Sequence, residues 1–184
     1  MINPFIDETY FKANNGLDAS IDNKFIMPSI EKAQEIYILP LLGTALYNQL
    51  QAQIEADTLT GDNITLLDNY IAPALSKYAL YEAIPKMMYK IENTSILKRG
   101  AEFAETIDFK ELTYLRQIAK DDAEYFATRI TNFLNANDTV YPLFNNAGTS
   151  TDTVYPNTGN SYTSSIHYRN RSGYINRQDE TRRR

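Results

Sequence analysis

The phrase Tyr37-Ile38-Leu39-Pro40-Leu41-Leu42 returns 33 residues later as Tyr70-Ile71-Ala72-Pro73-Ala74-Leu75. Each copy lies inside an apolar run of helical spacing, and each sets a proline where that run is vulnerable. Proline inside a helix removes one backbone hydrogen bond and its ring crowds the preceding turn, at a cost of about 3 kcal/mol. A chain that does this twice in the same words is specifying a bend or a junction. A period of this size also suits helical-repeat solenoids. No third copy follows, however, and about three are needed for a stable stack. The two copies are therefore expected to be unlike junctions in one bundle: Pro40, with Gly43 behind it, separating two helices, and Pro73 bending or splitting a long one.

Around these junctions the apolar spacing predicts an all-α fold, a helical bundle of about four to five helices. Residues 1–20 read as a leader with some local order, interrupted at Asn14-Asn15-Gly16. A first helix is expected from about Asp22 to Ile38, with Phe25, Ile26, Ile30, Ala33, Ile36 and Tyr37 inward and Pro28 as the first position of its main part. Leu42, Ala45, Leu46, Leu50 and Ile54 form the next stripe, to about Ala56, and Gly43 at its start allows close backbone approach. Thr60-Gly61-Asp62-Asn63 reads as a turn. Ile64, Leu67, Ile71, Leu75, Tyr78, Tyr81 or Glu82, Pro85 and Met88 then carry helical spacing through two prolines, as a kinked helix or as helices end to end. Residues 93–104 read as a connection with a short helix. The last long helix starts at an Asp108 cap paired with Glu111, with Ile107 and Leu112 as a hydrophobic staple. Its stripe is Leu112, Leu115, Ile118 or Ala119, Ala123, Phe126, Ile130, Phe133 and Leu134, ending near Asn135. No strand is expected within 20–136. The helical domain thus spans 21–145, followed by an extended, mostly irregular C-terminal arm over 146–184. That arm is rich in Asn, Thr, Ser, Gly and Tyr and too poor in apolar residues to offset its own ordering entropy. Its order requires a support, for which a neighbouring subunit is the simplest candidate.

Few residues suit chemistry. The chain has no cysteine, which removes disulfides, thiolate metal sites and cysteine nucleophiles. The one histidine, His167, has no second histidine or cysteine with which to share a metal, and no nucleophile-elbow or phosphate-cradling glycine motif is present. Glu102, Glu105, Asp108 and Glu111 crowd a predicted helix start, where acids complement the helix dipole, and Asp121, Asp122 and Glu124 fit a solvated face. No catalytic residue, metal or cofactor is expected. With no signal-peptide pattern and no apolar run near the ~20 residues a membrane span needs, the expected product is soluble, made in the cytoplasm and independent of membranes.

Charge is distributed unevenly. Residues 166–184 hold six arginines against Asp179 and Glu180, a local excess of four positive charges, so the rest of the chain stands at −9 within a total of −5. Tyrosine is abundant at 14 residues, and it combines apolar area with a polar tip suited to interfaces. In the arm, Tyr155, Tyr162, Tyr168 and Tyr174 are candidate anchors, with Arg169, Arg171 and Arg177 pairing with acidic neighbours.

Ala33-Gln34-Glu35-Ile36-Tyr37-Ile38-Leu39-Pro40-Leu41-Leu42-Gly43 with Leu46-Tyr47 resembles the first helical hairpin of small structural proteins of tailed bacteriophages, in particular those of phages infecting Bacteroidetes, including the crAss-like group. Leu67-Asp68-Asn69-Tyr70-Ile71-Ala72-Pro73, then Tyr78, Tyr81 and Ala83-Ile84-Pro85-Lys86-Met87, is similar to the same pattern, as is the long last helix before Tyr141-Pro142-Leu143-Phe144. The resemblance covers roughly residues 20–145. It implies a head-to-tail connector, also called an adaptor or neck ring protein: a non-enzymatic virion subunit of a twelve-copy ring beneath the portal, with a DNA channel through it. The implied partners are further copies of the chain, the portal protein, the next neck or tail ring protein and, transiently and non-specifically, DNA. The acidic body suits such a conduit, since like charge on the lumen wall does not hold phosphates. The alternative is a small helical nucleic-acid-binding regulator that uses the arginine- and tyrosine-rich tail to track a backbone and stack bases.

Overall fold

The computed structural model describes residues 3–91, 96–98, 109–146 and 153–158. Two proline-bearing helical rods and one long helix make the bundle. The first rod runs without interruption through α2 (Asn23–Ala33), a π-helical turn (Gln34–Ile38) and α3 (Leu39–Leu42). The second runs through α5 (Gly61–Leu66), a π-helical turn (Leu67–Ile71) and α6 (Ala72–Met88). Before them lies α1 (Glu8–Asn15), between them α4 (Thr44–Glu55), and after them α7 (Phe109–Ala136) and the single turn α8 (Pro142–Asn145). Helix α6 is the centre: α2 and α7 pack against it, as does α1. The molecule is an all-α bundle carrying an irregular C-terminal arm.

Both copies of the repeated phrase are π turns. Leu39 N–H donates to Gln34 C=O and Ala72 N–H donates to Leu67 C=O, each reaching back five residues instead of four. Each proline is the second residue after its π turn. Pro40 and Pro73 cannot donate to the carbonyl four residues back, and their rings would press on it. The wider π turn relaxes that contact while the helix carries on. It also inserts one residue into the helical count. Ala33, Ile38 and Leu42 are fully buried in the first rod, and Leu66, Ile71 and Leu75 in the second. Each trio takes a step of five across the π turn, then four, and the two trios lie 33 residues apart. Ile38 and Ile71, the last residues of the two π turns, both lie on the core face, and Ile36, expected inside, is 49% exposed.

The rods diverge three residues after the proline. The first stops at Gly43, whose φ of 75° and ψ of 156° lie in a region that essentially only glycine occupies. The matching residue of the second rod is Ser76, fully buried and helical, its Oγ accepting from Asn15 Nδ2 at 2.8 Å. Pro40 therefore does not separate two helices, contrary to the sequence expectation. It sits within a continuous rod, and the separation falls at Gly43.

Other expectations are corrected as well. Pro28 is not an N-terminal position but lies in the interior of α2, which starts at Asn23 after Asp22. Pro85 is interior to α6, and the carbonyl it leaves without a helical donor, that of Tyr81, accepts from Arg116 Nε at 3.3 Å. Thr60-Gly61-Asp62-Asn63 is a helix start, with Thr60 as the cap accepting from Asn63 N–H. Residues 89–91 and 96–98 form an antiparallel two-strand ladder, Tyr89 opposite Lys98 and Ile91 opposite Ile96, where no strand was expected; the rest of 93–104, where a short helix was expected, lies outside the described residues. Ile64 and Leu115, assigned to the core by helical spacing, are more than 40% exposed, while of the alternatives Ile118 and Ala119 it is Ala119 that is buried. Residues 3–15, read as a leader, belong to the bundle: Phe11 of α1 is fully buried, Asp7 caps the helix by accepting from Tyr10 N–H at 2.7 Å, and Gly16 closes it with a left-handed φ of 61°. Glu102, Glu105, Ile107, Asp108, Tyr162, His167, Tyr168, Arg169, Arg171, Tyr174 and Arg177 lie outside the described residues.

Candidate functional site

The break at Gly43 does more than turn the chain. In an unbroken helix Thr44 N–H would donate to the carbonyl of Pro40, four residues back. Glycine's conformation pulls the two apart and leaves a donor and an acceptor unpaired at the bundle surface. An extended segment of the arm, residues 153–158, takes both. Thr44 N–H donates to Val154 C=O at 3.0 Å, and Asn157 N–H donates to Pro40 C=O at 2.9 Å. Thr44 also accepts at Oγ1 from Val154 N–H at 2.8 Å, so residues 44 and 154 pair at both main-chain groups of Val154. Asn135 Nδ2, from the end of α7, donates to Thr158 C=O at 2.9 Å. The arm is thus held chiefly through its backbone, in the manner of a strand added to an open edge.

Shape completes the site. A β-carbon at Gly43 would lie 2.7 Å from Pro156 Cδ and 3.1 Å from Pro156 N, closer than such atoms can approach. Glycine is required here twice over, for its φ and for the space that Pro156 fills. Pro156 suits the position in turn, because its fixed φ holds the segment extended and it has no N–H to leave unpaired. Tyr155, expected as an anchor, turns its ring to solvent and is 73% exposed; the docking falls to the backbone of Val154 and Asn157 and to the ring of Pro156. The support that the arm required is, over these six residues, the body of its own chain.

The N-terminal segment is fastened to the body as well. Gln51 and Asn3 exchange two hydrogen bonds, Asn3 N–H to Oε1 at 2.8 Å and Nε2 to Asn3 C=O at 2.7 Å. Gln34 bridges Phe5 N–H at 2.7 Å and Asn3 C=O at 3.0 Å. Two side-chain amides thereby replace a neighbouring strand for the N-terminal segment. Gln34, the first residue of the first π turn, is fully buried, four residues after the buried Ile30. Its amide also donates to Tyr47 Oη, and that hydroxyl donates to Glu35, the two tying the π turn to α4.

Across the bundle, Glu82 of α6 is the one carboxylate among the described residues that is nearly buried. It accepts from Lys32 Nζ at 2.6 Å and from Tyr37 Oη at 2.8 Å. Burial pushes its carboxyl upward, but the Lys32 and Tyr37 hydrogen bonds and the charges of Lys32 and Arg116 outweigh that and hold it below the usual range. Burial, followed by the hydrogen bond and charge of Glu82, drives the Tyr37 hydroxyl far up, so it stays protonated as a donor. Around the carboxylate the rings interlock: Tyr37 stacks on Tyr78 at 4.3 Å and meets Tyr81 edge-on, while the Arg116 guanidinium lies over Tyr81 at 4.1 Å. This cluster joins α2, the first π turn, α6 and α7. The acids of α7 are spread along its surface instead, Asp121 accepting from Gln117 and Glu124 pairing with Lys120 at 3.4 Å. Among the described residues no three His, Cys, Asp or Glu side chains converge to hold a metal ion, and no helix is long and apolar enough to cross a membrane.

Sequence reasoning singled out Gly43 but not its partners. Val154, Pro156, Asn157, Thr44 and Asn135 carried no pattern, since the arm has no period and its contacts lie far away in the chain, Val154 meeting Thr44 across 110 residues. The one available signal was a glycine set directly after an apolar proline phrase, which marks a place for close backbone approach.

Compared with known proteins, residues 38–154 match the model of a family of unknown function, DUF6712, and the chain belongs to that family. The matched stretch starts in the first π turn and ends at Val154, so it includes the Gly43 break and the start of the docked arm. No curated protein and no solved structure matches the chain.

Proposed function

We propose that this member of the DUF6712 family is a structural assembly subunit, a head-to-tail connector of a tailed-phage virion, joining the portal to the next neck or tail ring and leaving a channel for DNA. The resemblance of the two proline phrases to connector helices supplies the identity. The observation that carries an assembly role is the arm: an extended segment laid on the body through backbone groups that a glycine break leaves open. Surface chemistry agrees. Tyr114, Ile118 and Tyr125 form an exposed row on α7, on the side away from the core residues Leu112, Ala119, Ala123 and Ile130. A ring built by heterologous contacts needs two different faces per copy, and this row supplies one.

Native mass spectrometry and negative-stain imaging of the full chain test the reading. Closed rings, near twelve copies, are the expected result, and a monomer at all concentrations defeats it. Titration with duplex DNA addresses the regulator: tight binding that falls steeply as salt rises would favour a nucleic-acid-binding protein using the arginine tail.

A further inference from the structure

We propose that the opened turn at Gly43 is a transferable peptide-binding site, whose ligand in the assembled state is the 153–158 segment of a second copy of this chain. The proposal rests on the assembly reading above. The contacts described above join the segment to one small cradle: Thr44 N–H and Oγ1, Pro40 C=O, the Asn135 amide and the gap over Gly43. None of these contacts depends on which chain supplies the peptide. A segment from another copy makes the same hydrogen bonds, so exchange is decided by reach and local concentration alone.

The connection permits that exchange. Body and segment are joined by residues 147–152, and seven Cα steps from Asn146 to Thr153 reach roughly 24 Å when extended. The body is secured up to that point. Phe144 is fully buried, and the Tyr141 hydroxyl donates to Asp62 C=O at 2.7 Å, so rerouting the arm disturbs no core residue. The exposed ring of Tyr155 points to the same arrangement. On its own body this aromatic is 73% exposed, whereas a segment lying between two copies gives it a second surface to pack on.

The chain's lack of cysteine makes the test clean. Thr44→Cys is placed in a tagged full-length copy and Val154→Cys in an untagged one, and the two are mixed and oxidised. Exchange predicts a disulfide-linked tagged–untagged pair, and predicts its loss when Gly43→Ala is added to the tagged copy. The double variant Thr44→Cys/Val154→Cys checks that the two positions meet. Three results overturn the proposal: a double variant that links only within one chain while the mixed copies stay separate, a mixed pair that persists with Gly43→Ala, or a double variant that fails to link at all. Native mass spectra of the same samples separate this idea from the reading beneath it. Rings without cross-links sink the exchange alone, while monomers throughout sink the connector.

Discussion

Residues 37–42 and 70–75 carry the same phrase and solve the same problem in the same way. In each, a π turn ahead of the proline spares the helix a break and ends on a fully buried isoleucine, Ile38 or Ile71. Three residues beyond each proline they part. Gly43 opens the backbone and exposes a donor and an acceptor, to which the arm binds. Ser76 keeps the helix closed and spends its hydroxyl on Asn15 of α1. Proline in these rods is accommodated. The choice between a rod and a docking site rests with the residue that follows, which can or cannot adopt a positive φ.

The largest test of this equivalence is in the core. Ile38→Ala and Ile71→Ala should each cost about 2–5 kcal/mol in chemical denaturation, as fully buried residues that leave cavities. A loss confined to one of them would break the likeness of the two π turns.

The divergence is tested next. Gly43→Ala should cost about 1–3 kcal/mol, because an L-residue is strained at this φ and ψ. It should also release the arm, seen as faster hydrogen exchange at the Thr44 and Asn157 amides. Unchanged exchange there would show that the break does not hold the arm. Ser76→Ala removes one neutral hydrogen bond and should cost only about 0.5–1.5 kcal/mol, with the arm amides unaffected.

The tyrosines that open each phrase should differ in the same direction. Tyr37 donates to the buried carboxylate of Glu82, so Tyr37→Phe should destabilise by roughly 1 kcal/mol. Tyr70 acts through its ring, stacked on Phe133 at 4.0 Å with the Arg129 guanidinium 5.4 Å from its centre. Tyr70→Phe keeps that ring and should stay within about 0.5 kcal/mol of the natural chain. Equal losses at the two sites would remove Glu82 from the account.

The smallest expected effect is a pH dependence. The Glu82 carboxyl is held below its ordinary range in the folded chain, so the unfolded chain binds this proton more readily. Its contribution is present above the ordinary carboxylate range and is lost as pH falls through the lowered value. Glu82→Gln should flatten the acid side of the stability–pH curve. An unchanged acid limb would mean that other carboxylates govern it.

Much of the bundle was legible because helices announce themselves locally. Ile26, Ile30 and Ala33, or Ala123, Ile130 and Leu134, recur at the helical period and are buried. Legibility failed wherever the period itself changed. Within the first π turn Ile36, which the spacing placed inward, is turned outward. Leu115 satisfies the spacing of α7 yet is exposed, because periodicity marks an apolar face without saying whether a neighbour covers it. The candidate site was half legible: Gly43 stood out, and the peptide it receives did not.

By itself, then, the sequence determined that the chain is an all-α bundle with an irregular arm, where most helices run, and that two proline phrases would be structural landmarks. These follow from local rules of side-chain period, backbone freedom and missing donors, which act over a few residues. Tertiary structure decided that the prolines are absorbed by π turns, that Gly43 is the true break, and that residues 153–158 close it. Those outcomes depend on pairing polar groups that lie far apart along the chain. Hydrogen bonds left open at one place must be met at another, and a linear pattern does not say where.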